Sequence, residues 1–581
     1  MMYNRATISD FLECELEAQN KNFIQKLNTP AQSLLEQTQE LFLGRFLGFK
    51  NGIMMLKMAT RRGLPRKGQY FNTLILPAHL RDYHRWNITT YGDLIKQQDS
   101  NFETICAWYN TQEDTRFCVV GFKGVSNEIA NELENNKGII LVLGPHIPPF
   151  EYLYNLQSLI IDNTQQSDHI LDEKTIECNW SPQFIKHDDN FVDIIRTQLI
   201  SSDTVILQGP PGTGKTTKTA LLCHELISQN KSVLVTSLTN RALIELAKKS
   251  ALATDLICGA IRKTNLSADE LNELPHICKA QSFAPMKGTI LLSTFYISSK
   301  YATQCNIPFD YVIMDEASQA ILPMFSAAKL IGDKNLWIGD FNQLPPVIET
   351  NSDIIAQKGF SEIVEGFKTL SLQSPIPKFQ LTDTFRLTAR AARYTSIFYS
   401  GNLSSASNQI YDWQTDFKKF TSNEGGPILF KTDMPIGETH PNSALALTSL
   451  LISKIHNENP NFQIAVLSCF VATVKNLTRT IVQYNHSLKN IIIDTVARVQ
   501  GITTDIAIFV IPNTSVYRSL EPRLFNVATS RSSTNTFIIA DKSIVSMAQD
   551  QRVRQYLTTL DNEASFYFPT NTQQNHLTLE N

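Results

Sequence analysis

The chain contains 581 residues, of which 42% are hydrophobic and 18% are charged, and its formal net charge at pH 7 is −3. This length predicts several structural units, and the composition excludes wholesale disorder. The slightly acidic balance excludes a blanket of positive potential, so a nucleic-acid site is expected only as a local groove. The nine cysteines lack zinc-ligand spacing, and no apolar run is long enough to span a bilayer. We therefore expect a cytoplasmic protein that binds neither zinc nor a membrane.

The first 190 residues divide by hydrophobic periodicity. Residues 1–50 carry apolar side chains at helical spacing and predict a helical stalk. Short apolar runs separated by turn-rich pieces follow in residues 51–160 and predict a small β-barrel-like accessory domain. The polar residues 161–190 are interpreted as a linker.

From residue 191 onward the pattern repeats strand, loop and helix, which is typical of parallel sheets with crossover helices. The repeats predict an α/β fold with two parallel-sheet lobes. The first lobe is expected over residues 191–372, with a short insertion at 251–287, and the second over residues 373–561. Residues 562–581 are rich in Asn, Gln and Thr and are expected to form a flexible tail.

A glycine-rich sequence lies between a predicted strand and a predicted helix of the first lobe. It reads Gly209-Pro210-Pro211-Gly212-Thr213-Gly214-Lys215-Thr216 and matches the pattern G-x-x-x-x-G-K-S/T in the context which that pattern requires. Glycines let backbone N–H groups turn towards phosphates, Lys215 reaches the terminal phosphates, and Thr216 offers a hydroxyl to Mg²⁺. Together with the adjacent Thr217, this loop predicts a binding site for ATP and Mg²⁺.

Two further polar motifs follow apolar strands downstream. Asp315 is suited to the Mg²⁺ shell, and Glu316 is suited to orienting and deprotonating the attacking water. A solvated acidic pair is the alternative interpretation of these two residues taken alone. Gln343 lies within Gly339-Asp-Phe-Asn-Gln-Leu-Pro-Pro346, and its amide is able to contact the γ-phosphate and report its loss.

Taken together, these motifs resemble the Upf-like group of superfamily 1B helicases, which are P-loop motors of the AAA type. The resemblance spans residues 190–545, and its most diagnostic parts are Asp315-Glu-Ala-Ser-Gln-Ala320 and the motif that contains Gln343. Further motifs follow in the family's order: Leu381-Thr-Asp-Thr-Phe-Arg386, Ile397-Phe-Tyr-Ser-Gly-Asn-Leu403, Gln500-Gly501 and Asn526-Val-Ala-Thr-Ser-Arg531.

The resemblance implies two RecA-like lobes preceded by the stalk and the barrel. It implies that Arg386 and Arg531 act from the second lobe on the γ-phosphate, a task that suits the fixed fork and permanent charge of arginine. These arginines complete a catalytic set with Lys215, Glu316 and Gln343. Gly501 matches a nucleotide-binding position. Phe385 matches the position that stacks on adenine, although a core aromatic is an equally good interpretation of that residue alone.

The resemblance also implies a groove for one strand of DNA or RNA, between which the motifs do not discriminate. The positions that match phosphate-facing residues are Thr236, Ser237, Asn240 and Thr294 in the first lobe and Thr495 in the second. Neutral hydroxyls and amides suit a sliding grip, but each residue is equally consistent with a simple cap or turn. Movement from 5′ to 3′ is implied by the 1B group alone.

The chain departs from the family pattern at several positions. Ala497 and Thr503 stand where carboxylates are usual, Ser468-Cys-Phe470 replaces Thr-Pro-Tyr, and no glutamine matches the adenine-reading position. The leading hypothesis is an ATP-dependent helicase or translocase. The alternative is an ATP-switched clamp, or a motor subunit that has protein partners in a larger defence or repair complex. A basic cluster in the predicted barrel either contacts nucleic acid or lies in a solvated loop; it consists of Arg61, Arg62, Arg66 and Lys67.

Overall fold

The computed structural model describes residues 3–66, 68–111, 116–162, 170–172, 180–304, 307–409, 411–422, 424–438, 441–483 and 490–569. These residues divide into two compact units. Unit 1 contains the residues up to Lys21 together with 149–386 and 402–406, and unit 2 contains residues 22–148, 387–401 and those from 407 onward. Each unit is built on a parallel sheet. The helices of the described residues include none that is long and apolar enough to traverse a bilayer.

The first part of the chain forms helices and a closed antiparallel barrel. The helices are α1 Arg5–Asn28, α2 Ala31–Glu36, α3 Tyr91–Lys96 and α4 Asn127–Glu134. The strands are β1 Phe42–Lys50, β2 Ile53–Ala59, β3 Tyr70–Ile75, β4 Ser100–Thr111, β5 Phe117–Lys123 and β6 Ile140–Gly144. They close in the order β1-β2-β5-β4-β3-β6. The prediction of a small barrel is therefore confirmed.

The barrel begins at Phe42, inside the predicted stalk, and α1 ends at Asn28. Every second residue from Phe42 to Gly48 is buried, which is the period of a strand and not of a helix. A Cβ atom at Gly44 would lie 2.7 Å from Leu56 Cδ1, so the two strands approach closely there. The prediction of a stalk through residue 50 is wrong from Phe42 onward, because glycines at two buried positions disguise the period-2 pattern.

Unit 1 is built on a nine-stranded sheet in which all strands are parallel. Its strands are β7 Gln183–Ile185, β8 Thr204–Gln208, β9 Ser232–Ser237, β10 Ile261–Lys263, β11 Cys278–Lys279, β12 Thr289–Thr294, β13 Phe309–Met314, β14 Gly332–Gly339 and β15 Lys378–Leu381. Their order is β11-β10-β12-β9-β13-β14-β8-β15-β7. Every residue of β8, β9 and β12 is buried, as expected for strands covered on both faces.

Helices pack on both faces of this sheet. They are α5 Glu151–Asp162, α6 Phe191–Ser201, α7 Lys215–Ser228, α8 Asn240–Ala247, α9 Ala253–Ile257, α10 Ala268–Glu273, α11 Phe295–Tyr301, α12 Leu322–Ile331, α13 Ser352–Lys358, α14 Ser361–Val364 and α15 Gly366–Gln373. Alternate residues of β8 face different cores, since Ile206 packs with α12 residues and Val205 with α7 residues. The first predicted lobe is therefore a doubly covered parallel sheet.

The borders of this lobe differ from the predicted ones. β15 pairs with β8, so the sheet extends past the predicted division at residue 372, and β7 lies inside the predicted linker 161–190. The predicted insertion 251–287 adds β10 and β11 to the sheet edge. These strands have four residues or fewer, which is too short for periodicity to reveal them.

Two more sheets complete the fold. β16 Asp383–Thr384 and β17 Ser404–Ser405 form a short parallel pair in unit 1. The sheet of unit 2 has the order β20-β19-β21-β22-β18-β23 and consists of β18 Gly426–Thr432, β19 Ile464–Ser468, β20 Ile491–Thr495, β21 Thr504–Val510, β22 Ser532–Asp541 and β23 Ser565–Phe568. β23 lies inside the predicted tail, while residues 570–581 of that tail lie outside the described residues.

The helices of unit 2 that follow Arg386 are α16 Ala389–Ser396, α17 Asn442–Glu458, α18 Val471–Gln483, α19 Val516–Ser519, α20 Pro522–Thr529, α21 Ile544–Met547 and α22 Gln551–Glu563. Within this unit, the segments that precede β1 and β3 contact α18 and β20. Arg66 lies 3.9 Å from Asp494, and Lys475 donates a hydrogen bond to the Thr38 carbonyl. Arg62 lies over the Tyr83 ring, 4.4 Å from its centroid. Two members of the predicted basic cluster thus have intramolecular partners, and Lys67 lies outside the described residues.

Candidate nucleotide-binding site

The predicted nucleotide-site residues of unit 1 gather at one edge of its sheet. The carboxyl ends of parallel strands meet at the same edge, where ligands bind in open α/β sheets. The phosphate-binding loop follows β8, Asp315 follows β13, the motif containing Gln343 follows β14, and Phe385 follows β15. These four strands are consecutive in the sheet order β13-β14-β8-β15. Motifs that are far apart in sequence therefore become neighbours.

The loop from Gly209 to Lys215 folds around one lysine side chain. Lys215 Nζ donates a hydrogen bond of 2.6 Å to the Gly209 carbonyl, and a Cβ atom at Gly209 would lie 2.3 Å from Lys215 Cγ. Gly212 and Gly214 have φ angles of +74° and +79°, a region that glycine adopts without strain. Because α7 begins at Lys215, its first N–H groups face the loop, as in other phosphate sites at helix N-termini.

Residues 384–386 pack directly on this loop. The Phe385 N–H donates a hydrogen bond of 2.8 Å to the Gly212 carbonyl, and a Cβ atom at Gly212 would lie 2.4 Å from Arg386 Cβ. The Phe385 side chain is 47% exposed, and a Cβ atom at Gly214 would lie 3.8 Å from its ring. Exposure beside the loop excludes the interpretation of Phe385 as a core aromatic.

The position of Arg386 corrects a prediction. The resemblance places Arg386 on the second lobe, but the residue belongs to unit 1. The reason is that β15 joins the sheet of unit 1 beside β8 and carries the following residues to the phosphate-binding loop.

Asp315 and Glu316 combine burial with an unusual backbone conformation. Asp315 is 4% exposed, and its Oδ1 accepts a hydrogen bond of 3.0 Å from the Glu316 N–H. Burial, together with the charge of Glu316, raises the pKa of Asp315 to about 7, although Lys215 opposes the shift. Glu316 has a φ angle of +54°, and such strain is concentrated at functional sites. The interpretation of Asp315 as part of a solvated acidic pair is excluded.

ATP and Mg²⁺ fit this set of residues. Gly209 and Gly212 have no side chain, which lets the loop backbone lie directly against Lys215 and Arg386, two cationic residues suited to phosphates. The Asp315 carboxylate and the Thr216 hydroxyl are oxygen ligands of the kind that Mg²⁺ prefers. A buried carboxylate with a raised pKa favours a cationic partner. Mg²⁺ would supply charge neutralisation on the phosphates.

Gln343 is held by a buried network that the sequence did not reveal. Its Nε2 donates a hydrogen bond of 2.6 Å to Asp340 Oδ2. The other oxygen, Asp340 Oδ1, accepts a hydrogen bond of 2.8 Å from Gln208 Nε2. Gln208 is the last residue of β8, immediately before the phosphate-binding loop. The one available signal was a polar residue that ends an otherwise apolar, buried strand.

The predicted phosphate-facing side chains of unit 1 lie at the ends of β9 and β12. Thr236 and Ser237 are each 1% exposed and Thr294 is 7% exposed. Thr236 Oγ1 shares a hydrogen bond of 3.2 Å with Ser298 Oγ. Asn240 is half-buried at the start of α8. Asn240 is therefore the most exposed of these four side chains, whereas the Thr236 hydroxyl is already engaged inside the protein.

The predicted site residues of unit 2 lie after β20 and α20. Thr495 is 8% exposed and follows Asp494, whose Oδ1 accepts its N–H at 2.7 Å. Gly501 has a φ angle of +86°. Arg531 is 2% exposed and donates hydrogen bonds to the carbonyls of Val527, Val499 and Ile502. Its guanidinium thus fixes the turn that contains Gly501.

Part of the sequence is similar to known proteins. Residues 193–349 match the AAA domain family AAA_19. The DNA replication ATP-dependent helicase/nuclease DNA2 of Xenopus laevis is 33% identical over 225 residues, which cover 36% of this chain and 20% of the relative. The Homo sapiens protein of the same name is 32% identical over 237 residues, which cover 38% of this chain and 21% of the relative. The chain thus spans about a fifth of the length of these curated relatives.

Among solved structures, the arterivirus nonstructural protein 10 helicase aligns with 88% of this chain and 79% of its own. The two are 10% identical and superpose with a TM-score of 0.37.

The parallel sheet, the phosphate-binding loop and the buried Asp315 together define a P-loop lobe. Part of the chain is similar to the AAA domain family and to proteins named as ATP-dependent helicase/nucleases.

Proposed function

We propose that this chain is an ATP-dependent helicase or translocase that acts on single-stranded nucleic acid and moves from 5′ to 3′. The observation that carries the proposal is the convergence of Lys215, Asp315, Glu316 and Gln343 at one sheet edge. Hydrolysis of ATP at this edge drives strand movement or unwinding, with both parallel-sheet lobes taking part. ATP and Mg²⁺ are the proposed cofactors.

Each residue has a role that follows from its chemistry. Lys215 neutralises the terminal phosphates, and Asp315 together with Thr216 holds Mg²⁺. Glu316 orients and deprotonates the attacking water. Gln343 contacts the γ-phosphate, and its amide is kept in place by Asp340. Arg386 approaches the phosphates from beside Gly212, and arginines in this role contribute factors of about 10³–10⁵ in rate.

Single-stranded DNA is the first candidate substrate. The relatives are named as DNA replication helicases/nucleases, and RNA is the competing substrate class. Asn240 and the Thr294 backbone at the ends of β9 and β12 supply neutral contacts for phosphates, which are readily broken and remade during movement.

A switchable clamp without autonomous unwinding is the second candidate function. Two observations favour it: Ala497 and Thr503 replace carboxylates, and the Arg531 guanidinium is turned into its own lobe. Such a clamp would act with protein partners in a larger defence or repair complex.

The first experiment measures ATPase rates of the full chain with matched poly-dT and poly-U. Stimulation by either polymer is expected, and it should be absent in Glu316→Gln while nucleotide binding persists. Glu438→Gln changes the same group at an exposed position of unit 2 and serves as the control. An unstimulated ATPase in the wild type, or an active Glu316→Gln, contradicts the proposal.

The second experiment separates the two candidates with duplexes that carry a 5′ or a 3′ single-stranded tail. Unwinding of the 5′-tailed duplex supports the helicase, and preference for the 3′ tail reverses the proposed polarity. Nucleic-acid-stimulated hydrolysis without unwinding of either duplex supports the clamp.

A further inference from the structure

A buried carboxylate on α1 lies outside the set of residues that hold the nucleotide. Glu15 has no exposed surface and lies on the helix face that carries Ile8, Phe11 and Leu12. A buried charge is costly unless its oxygens are hydrogen-bonded. The partners of Glu15 therefore indicate why a carboxylate occupies this apolar face.

Most of these partners come from one short segment of unit 1. Glu15 Oε1 accepts the Glu349 N–H at 3.0 Å, and Oε2 accepts the Thr350 N–H at 2.9 Å and the Thr350 hydroxyl at 2.7 Å. Gln19, one turn along α1, donates to Oε1 at 2.7 Å. Hydrogen bonds to an ionised acceptor are stronger than neutral ones. Glu15 therefore anchors residues 349–350 to α1.

The anchored segment is the continuation of the motif that contains Gln343. Its other end is held by the hydrogen bond of 2.6 Å from Gln343 to Asp340. Between the two anchors lie residues 344–348, which include Pro345 and Pro346. Proline fixes φ and stiffens the chain. A short, stiff segment that is fixed at both ends transmits a displacement instead of absorbing it.

We propose that Glu15 is a positioning residue that couples α1 to the nucleotide state read by Gln343. The proposal rests on the proposed function, which assigns the γ-phosphate contact to Gln343. When that phosphate is lost, residues 343–350 shift and α1 shifts with them. Because α1 continues from unit 1 past Lys21 into residues of unit 2, the displacement has a covalent route out of the motor lobe.

The test follows hydrogen exchange of the full chain by mass spectrometry, first with ADP and then with ADP and beryllium fluoride as the γ-phosphate mimic. In the wild type, peptides that cover residues 340–350 and α1 are expected to change protection together between the two states. In Glu15→Gln the response of residues 340–350 should remain and the response of α1 should be lost. An amide cannot accept the same set of N–H donors through both of its atoms.

Two further variants keep the test decisive. Glu17→Gln removes the same charge from an exposed position of α1 and should leave both responses intact. Thr350→Val preserves volume but deletes the hydrogen bond of 2.7 Å to Glu15, so it should reduce the α1 response without loss of folding.

The outcomes separate this proposal from the proposed function. The coupling is contradicted, and the proposed function is not, if hydrogen exchange in the wild type changes in residues 340–350 but not in α1. It is also contradicted if both Glu15→Gln and Thr350→Val keep the wild-type change in α1. Failure of the wild type to bind a fluorescent ATP analogue contradicts the proposed function, and the proposed coupling is then contradicted as well.

Discussion

Asp340 accepts a hydrogen bond of 2.6 Å from Gln343, and its second oxygen accepts one of 2.8 Å from Gln208. The three side chains are buried, with Asp340 1% exposed. One carboxylate therefore ties the residue before the phosphate-binding loop to the proposed γ-phosphate sensor. Correct placement of Gln343 depends on a residue that does not itself have to touch the nucleotide.

Asp340→Asn should lower kcat for ATP hydrolysis more than it lowers nucleotide affinity. The new amide nitrogen cannot accept a hydrogen bond, so either Gln343 or Gln208 loses its buried partner. A displacement of the sensor by about 1 Å costs roughly a hundredfold in rate. Steady-state ATPase assays and nucleotide titration measure the two effects. Asp333→Asn, at an exposed position of β14, the strand that precedes Asp340, is the control. An unchanged kcat in Asp340→Asn would refute the role of Asp340.

Gly212→Ala should abolish nucleotide binding and lower the thermal unfolding temperature. Gly212 has a φ angle of +74°, and its Cβ atom would lie 2.4 Å from Arg386 Cβ and 2.5 Å from Thr384 Oγ1. Left-handed strain alone costs about 1–2 kcal/mol, and overpacking adds about 1–3 kcal/mol.

Gly401→Ala is the control that introduces left-handed backbone strain without a steric clash. Its φ angle is +81°, but nothing lies within 4 Å of the added Cβ atom. We therefore expect a smaller loss of stability and normal nucleotide binding, measured by calorimetry and by titration. Equal losses of binding in the two variants would show that contact with residues 384–386 does not shape the loop.

The sequence predicted the central elements of the fold and the phosphate site because these depend on strong local signals. β8, β9, β12, β13 and β14 are apolar runs, and the loop at Gly209 has a distinctive spacing of glycines. The resemblance assigned the order of the later motifs. It did not assign Arg386 to the correct unit. Membership of β15 in the first sheet depends on the pairing of residues far apart in sequence, such as Gln208 with Gln380.

Other features could not be predicted because they are tertiary. The spacing of Ile8, Phe11 and Leu12 marks the buried face of α1, but nothing local shows that Glu15 on that face bonds to Thr350, 335 residues away. The burial of Arg531 is similar, since its partners Val499 and Ile502 come from another segment. Hydrophobic periodicity identifies the buried face of a helix. The hydrogen-bond partners of a polar residue on that face can be identified only from the folded structure.

Acid should remove the stabilisation that Asp310 provides. Its carboxylate accepts hydrogen bonds from the Ser232 N–H and hydroxyl, each at 2.7 Å, and from Lys287 at 2.6 Å. Burial raises the pKa of Asp310, but the bonds from Lys287 and Ser232 outweigh it and lower the pKa to about 2. Because the unfolded value is about 3.9, the unfolded chain binds more protons between these values. The stabilisation is complete above about pH 4 and is lost as the pH falls towards 2.

Asp310→Asn should therefore unfold at lower urea concentration than the wild type at pH 7. The difference between the urea midpoints of the two proteins should narrow as the pH falls from 4 to 3. This range is about the upper half of the interval between the unfolded and folded pKa values of Asp310. Asp333→Asn is the exposed control. A difference that stays constant across this pH range would show that the ionised carboxylate is not the source of the stability.

Arg531→Ala and Arg386→Ala should differ in their effect on stability. Arg531 is 2% exposed and donates at 2.9 Å to the Val527 carbonyl and at 3.4 Å to the carbonyls of Val499 and Ile502. Its removal leaves buried acceptors unsatisfied, at a cost of about 1–3 kcal/mol for each group. Arg386 is half-buried beside the phosphate-binding loop. We expect Arg531→Ala to lower the unfolding temperature, and Arg386→Ala to leave it near the wild-type value while kcat falls on the order of a thousandfold.

Arg531→Lys tests whether the hydrogen bonds of Arg531 matter separately from its charge, because lysine keeps the charge and lacks the planar guanidinium group. A lysine ammonium cannot reproduce the three divergent bonds to Val527, Val499 and Ile502, so the turn that contains Gly501 should loosen. Hydrogen exchange of peptides that cover residues 496–504 should therefore increase in Arg531→Lys and remain normal in Arg386→Ala. If Arg531→Ala instead keeps the wild-type unfolding temperature and loses kcat to the same extent as Arg386→Ala, Arg531 contacts the nucleotide and does not act by holding the turn.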